Sequence, residues 1–205
     1  MKIFSTKTIT ITTSYSNKTN SMMMNSYTCF LAFFSILLVS VSCNNIIQEA
    51  CNKALKSDSQ PKVTFNFCVG SLEKHPNGEM ARSYEDLAPI TLHIMKSAAR
   101  HVSFIISKMM KTKNVDIHTK AGLEVCVQLY SLADSDVQRI NGYLKAKDYF
   151  SAKTGASGLV TSSVTCEDVF NEGKKTVSPI AKENNDFCRL AIMLLTFIPD
   201  AKSEK

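Results

Sequence analysis

The chain predicts an all-α fold: an up-down-up-down four-helix bundle preceded by an N-terminal helical hairpin, held by two disulfides. Three observations carry this expectation. Cys126, Tyr130, Ala133, Val137, Ile140 and Leu144 recur at steps of 4, 3, 4, 3 and 4, and Ala152, Ala156, Leu159, Ser163, Cys166 and Phe170 repeat that alternation. Each set lies on one face of its helix. Four such amphipathic stretches follow one another through short connections, which make successive helices antiparallel neighbours. Finally, no strand-period segment of useful length, long linker or internal repeat interrupts the pattern.

The first 43 residues stand apart. They carry Lys2, Lys7 and Lys18 and no acidic residue, and Cys29 to Val41 is an apolar run of 13 residues, CFLAFFSILLVSV. A membrane-crossing helix needs about 20 such residues, so the run is too short to span. Ser40, Ser42 and Cys43 supply the small residues of a cleavage site. Residues 1–43 therefore read as a secretory leader removed near Ser42 or Cys43, leaving 44–205 as one helical domain with no membrane attachment. The rival is an organelle transit peptide, suggested by the basic, Ser/Thr-rich first 21 residues; the continuity of the apolar core opposes it. Met22, Met23 and Met24 are alternative starts to Met1.

The elements follow in order. Ile46 to Leu55 predicts a short helix, broken by Asp58-Ser59-Gln60-Pro61, and Val63 to Leu72 predicts its antiparallel partner. His75-Pro76-Asn77-Gly78 is a turn in which His75 reads as a solvated residue. Ser83 is placed to cap a long helix, with Asp86 at the capping-box position and Pro89 in the first turns. Leu87, Ile90, Ile94, Ala98, Val102, Ile105 and Met109 give its predicted inner face. Lys108, Lys111 and Lys113 suit the C-terminal end of the helix dipole, and Asn114 ends the helix. A helix from about Asp116 to Lys145 leads into the Lys147-Asp148-Tyr149-Phe150 corner and then the Cys166 helix. Gly155 and Gly158 weaken the latter, by close helix approach or by local fraying. Gly173 to Pro179 is the last turn, and Ile180, Asn184, Phe187, Ala191, Leu194 and Ile198 form the final seam.

Removal of the leader leaves Cys51, Cys68, Cys126, Cys166 and Cys188 in an oxidising compartment, where disulfides are expected. Five cysteines allow fifteen arrangements of two bridges and a spare, and sequence does not choose among them. Locality favours Cys51 with Cys68, and the seams favour Cys126 with Cys166. Cys188 would then be a free thiol, acting as a small buried hydrophobe or bridging to another chain.

Little here is catalytic. Serine-hydrolase, zinc and phosphate-loop motifs are absent. His93 and His101 lie eight positions apart, too far for one metal, and Glu85-Asp86 and Glu167-Asp168 are adjacent pairs that diverge by about 100° on a helix. We expect no catalytic residue, no metal and no cofactor. Three of the chain's 24 Lys+Arg and none of its 18 Asp+Glu fall in the leader, so the rest keeps only a mild positive balance. That balance, without basic runs, excludes nucleic acid as a partner. The one N-x-[ST] sequon, at Asn17, lies in the leader.

Several local strings add a resemblance. These are Phe67-Cys68-Val69 with Ser71-Leu72, Asp86-Leu87-Ala88, Thr165-Cys166-Glu167-Asp168 with Phe170, Val177-Ser178-Pro179 and Lys182-Glu183-Asn184. From about Asn45 to Ile198 the chain resembles the plant invertase/pectin methylesterase inhibitor family, and within it an invertase-inhibitor-like, pollen-allergen-like subgroup. The resemblance implies bridges Cys51–Cys68 and Cys126–Cys166, a monomer secreted to the apoplast, and one-to-one steric occlusion of pectin methylesterase or invertase. Invertase inhibitors of the family insert a Pro-Lys-Phe corner into the sucrose site, where this chain has Lys147-Asp148-Tyr149-Phe150; the pectin methylesterase inhibitors lay a polar bundle face over their target's cleft. The corner and the exposed faces of the two helices it joins are the expected partner-binding surface. The alternative is an extracellular helical binding or allergen-like protein without an enzyme target.

Overall fold

The computed structural model describes residues 46–57, 59–112, 115–172 and 177–200. The leader with its cysteines, alternative starts and sequon, together with Asp58, Lys113, Asn114 and residues 173–176, lies outside the described residues.

Helix α1 covers residues 46–54 and α2 covers Phe65–Glu73. The second begins two residues later than the apolar pattern predicts. Thr64 is extended, and its hydroxyl accepts the Phe67 N–H at 3.3 Å, so Thr64 is the N-cap. Cys51 and Cys68 are bonded across this hairpin with Cα atoms 5.7 Å apart. A single 3₁₀ turn, Gly78–Met80, leads to the bundle.

The bundle consists of α3 (Tyr84–Met110), α4 (Ile117–Lys145), α5 (Tyr149–Asn171) and α6 (Ala181–Phe197). Helix α3 packs on α4 and α6, and α5 packs on the same two, closing a ring of four. Ser83 caps α3 by accepting the Asp86 N–H at 3.2 Å. The Asp86 carboxylate reaches back to accept the N–H of Arg82 at 2.9 Å, alongside hydrogen bonds from Ser83. These bonds hold the Asp86 carboxyl below the usual carboxylate range. Pro89 is the sixth residue of α3, beyond the first turn, with its ring facing solvent.

The inner face of α3 differs from the predicted one after Ile90, except at Val102, which is buried as expected. Met95, Ala99 and Ile106 are buried, whereas Ile94, Ala98, Ile105 and Met109 are only partly so. Both lines are apolar and stand about 100° apart. The helix packs between two neighbours, and the line aimed at the bundle axis goes deepest. On α4 the predicted seam is buried from Cys126 to Ile140, with Leu144 half-exposed, and on α5 and α6 every predicted seam residue is buried.

Helices α4 and α5 approach closely. Cys126 and Cys166 are bonded with Cα atoms 4.9 Å apart. A Cβ on Gly155 would stand 2.7 Å from Ile140 Cγ1, and one on Gly122 would stand 2.6 Å from the Phe170 ring. Gly155 is thus a site of close helix approach. Gly158 faces open space and has no such role.

The core carries one polar relay. The Tyr130 hydroxyl donates to Asn184 Oδ1 at 2.7 Å, and Asn184 Nδ2 donates to the Ser163 carbonyl at 3.0 Å and to Glu167 Oε2 at 3.2 Å. Burial pushes the Tyr130 hydroxyl far above its ordinary pKa. Each of α4, α5 and α6 contributes to this relay, so it fixes their mutual rotation. Cys188, nearby on α6, is a buried free thiol whose pKa burial pushes up to about 11.

Candidate functional site

The α4–α5 corner is built by the backbone. The Lys147 N–H donates to the Leu144 carbonyl at 3.0 Å, and the Asp148 N–H to the Tyr143 carbonyl at 2.9 Å. This pair of bonds is the Schellman arrangement, which places the residue after the C-cap in the left-handed region. That residue is Lys147, with φ 58°, where glycine is the usual occupant. One residue on, the Asp148 carboxylate accepts the Ser151 N–H at 3.0 Å and caps α5. Hydrogen bonds from Ser151 hold this carboxyl below the usual carboxylate range. Two helices therefore end and begin within three residues, and the chain direction reverses rigidly.

The four corner residues do different jobs. Asp148 is a cap. Tyr149 is half-buried, and its hydroxyl donates to Glu85 Oε1 on α3 at 2.7 Å, which raises the pKa of that hydroxyl. Phe150 projects outward, 73 % exposed, and the Lys147 side chain is also exposed. Two open clefts flank the corner. One, of about 370 Å³, runs between α4 and α5 and is bordered by Phe150, Arg139, Tyr143, Thr154 and Gly158. The other, of about 300 Å³, lies toward α3 and is bordered by Glu85, Pro89, Lys145, Lys147 and Tyr149.

Beyond Lys153 the outer face of α5 carries no charge until Glu167, since no ionisable side chain other than the bonded Cys166 lies between them. Three of its hydroxyls are satisfied within the helix: Thr154, Thr161 and Ser162 donate to the carbonyls of Phe150, Ser157 and Gly158 at 3.0 to 3.1 Å. The exposed hydroxyls of Ser157 and Thr165 are open to a partner.

Sequence reasoning missed Glu85 as a corner residue, because its partner lies 64 positions away. It also missed that His75 is half-buried and paired with His93, 3.0 Å between ring nitrogens, rather than solvated. Among the described residues no group of three potential ligands could hold a metal, and no helix is long and apolar enough to cross a membrane.

Comparison with known proteins agrees with this architecture. The chain is 35 % identical over 175 residues to a protein of Platanus acerifolia named "Putative invertase inhibitor", spanning 84 % of this chain and 96 % of that protein. It is 28 % identical over 168 residues to "Pectinesterase inhibitor 12" of Arabidopsis thaliana, spanning 82 % and 94 %. Among solved structures, a pectin methylesterase inhibitor from Arabidopsis thaliana shares the fold at TM-score 0.52 and 18 % identity, over 76 % of this chain and 97 % of that one. A mutant form of a pectin methylesterase inhibitor from Arabidopsis does so at TM-score 0.56 and 18 % identity, over 67 % and 91 %. The family profile described as "Plant invertase/pectin methylesterase inhibitor" matches residues 43–196, and the chain belongs to that family.

Proposed function

We propose that this chain is a secreted inhibitor that docks one-to-one on a plant pectin methylesterase or invertase and occludes its active-site cleft. The observation that carries the reading is the 35 % identity over nearly the whole length of a relative named as an invertase inhibitor. Residues 1–43 act as the leader, and 44–205 form the inhibitor released to the apoplast.

The docking surface is the α4–α5 corner with the outer faces of those helices. Phe150 is the anchor: an exposed aromatic side chain on a rigid corner gives large contact area at small entropic cost. Lys147 contributes a charge beside it. Asp148 and Tyr149 hold the corner rather than the partner. The uncharged stretch of α5 beyond Lys153 supplies further contact area.

The test titrates purified protein against both enzymes side by side. One enzyme loses activity with an end point at one equivalent. Phe150→Ala weakens that inhibition at least about tenfold, as expected of an anchor worth more than about 1.4 kcal/mol, with an unchanged melting temperature. Full activity of both enzymes at molar excess points instead to a helical extracellular protein without an enzyme target.

A further inference from the structure

The turn after α2 is held on α3 by two imidazoles. His75 Nε2 lies 3.0 Å from His93 Nδ1, with the rings edge-on and their centroids 4.9 Å apart. The other nitrogen of His75, Nδ1, accepts the Asn77 N–H at 3.2 Å. That last bond fixes every proton in the pair. A neutral His75 that accepts at Nδ1 carries its proton on Nε2 and donates it to His93 Nδ1; His93 then keeps its own proton on Nε2. No site remains for another proton. One added at His75 Nδ1 would face the Asn77 N–H, and one added at His93 Nδ1 would face the His75 Nε2–H. Either addition sets two donors against each other and breaks a bond.

The surroundings do not offset this. The pair lines an open cleft of about 570 Å³, together with Phe67 and Ser71 of α2, Ile94 and Ser97 of α3, and Asp186 of α6. Lys74, also on the wall, opposes a second cation. Asp186 would favour one, but it is engaged by Lys182 at 3.0 Å and Arg189 at 2.7 Å. Glu73 and Glu79 lie outside the walls. Burial first, and His93 second, lower the pKa of His75. Neither disulfide joins this turn to α3, since one closes within the hairpin and the other links α4 to α5.

We propose that His75 is a proton-released latch on the turn 74–77: neutral and donating to His93, it holds the Asn77 amide at Nδ1, and a proton taken up at Nδ1 frees that amide and loosens the turn while Nε2–H keeps its bond to His93. The sign follows from linkage. The unfolded imidazole binds its proton near pH 6.5 and the latched one binds it lower. The latch is therefore fully favourable above about 6.5, and its contribution is lost as pH falls from there through the latched value.

The test is an NMR titration of the full chain from pH 7.5 to 5.0. It follows the His75 and His93 ring signals and the hydrogen exchange of the Asn77 amide, corrected for intrinsic rate. His75 titrates below 6.5, and over the same interval the protection of Asn77 falls about tenfold, the loss of one hydrogen bond. In His75→Phe the Asn77 amide has low protection at every pH. His93→Gln, whose side-chain oxygen still accepts from His75 Nε2, keeps protection high at neutral pH. Constant Asn77 protection across the range overturns the proposal, as does the same pH dependence in His75→Phe.

Discussion

Tyr149 is tied to Glu85 by a 2.7 Å hydrogen bond that fastens the α4–α5 corner to the first turn of α3. Without it the corner would rest on its own backbone bonds, the Asp148 cap and the packing of the Tyr149 ring. Tyr149→Phe keeps the ring and removes the bond. Because the bond is open to solvent, the expected loss is small, a fall of at most about 2–4 °C in melting temperature. Glu85→Gln retains an acceptor and falls less. Thermal unfolding of the two variants checks the order.

Lys147 occupies a left-handed position that glycine fills without penalty. Lys147→Gly is expected to stabilise the fold by about 0.5–1 kcal/mol. Lys147→Val, branched at Cβ, is expected to destabilise it by more than about 1 kcal/mol. Denaturant unfolding at constant slope distinguishes a change in stability from a change in the unfolded state.

Gly155 and Gly158 make a matched pair one helical turn apart. Gly155→Ala drives a methyl to 2.7 Å from Ile140 Cγ1, an overpacking expected to cost about 1–3 kcal/mol. Gly158→Ala meets nothing and should stabilise α5 by up to about 1 kcal/mol. If Gly155→Ala is combined with Ile140→Ala, the steric share of the cost disappears, and a double-mutant cycle reads it.

Tyr130→Phe leaves Asn184 Oδ1 inside the bundle without its 2.7 Å donor. The expected cost is about 1–3 kcal/mol, well above that of the exposed Tyr149 bond. Equal losses in the two phenylalanine variants would show that the relay contributes nothing beyond a surface contact.

Cys188 is 2 % exposed, and its thiol pKa is pushed up to about 11. At pH 8 only about a thousandth of it is thiolate. With protein comprising residues 44–205, a disulfide reagent should leave the native state unmodified and label one thiol per molecule after denaturation; rapid labelling of the native state would contradict this burial.

The bundle was legible because its signal is periodic and local. The seams through Cys126 and Cys166 each needed only one helix to be read, and both are buried. The α3 face was misread after Ile90 because two apolar lines compete there, and only the positions of α4 and α6 decide between Met95 and Ile94. The corner was legible as a corner, but the roles within it were not. Nothing in Lys-Asp-Tyr-Phe says that Asp148 turns inward to cap, that Tyr149 reaches Glu85, or that Phe150 points outward. His75 was misread for the same reason, since its partner lies 18 positions along the chain, on another element.

The covalent map has a mechanical consequence. Among the described residues, one sulfur link knots residues 51 and 68 and the other knots 126 and 166, so no link spans the boundary between hairpin and bundle. Under load or in denaturant, residues 46–82 could peel from the four rods while both parcels stayed sewn, and they could seat again without any reshuffling of sulfur.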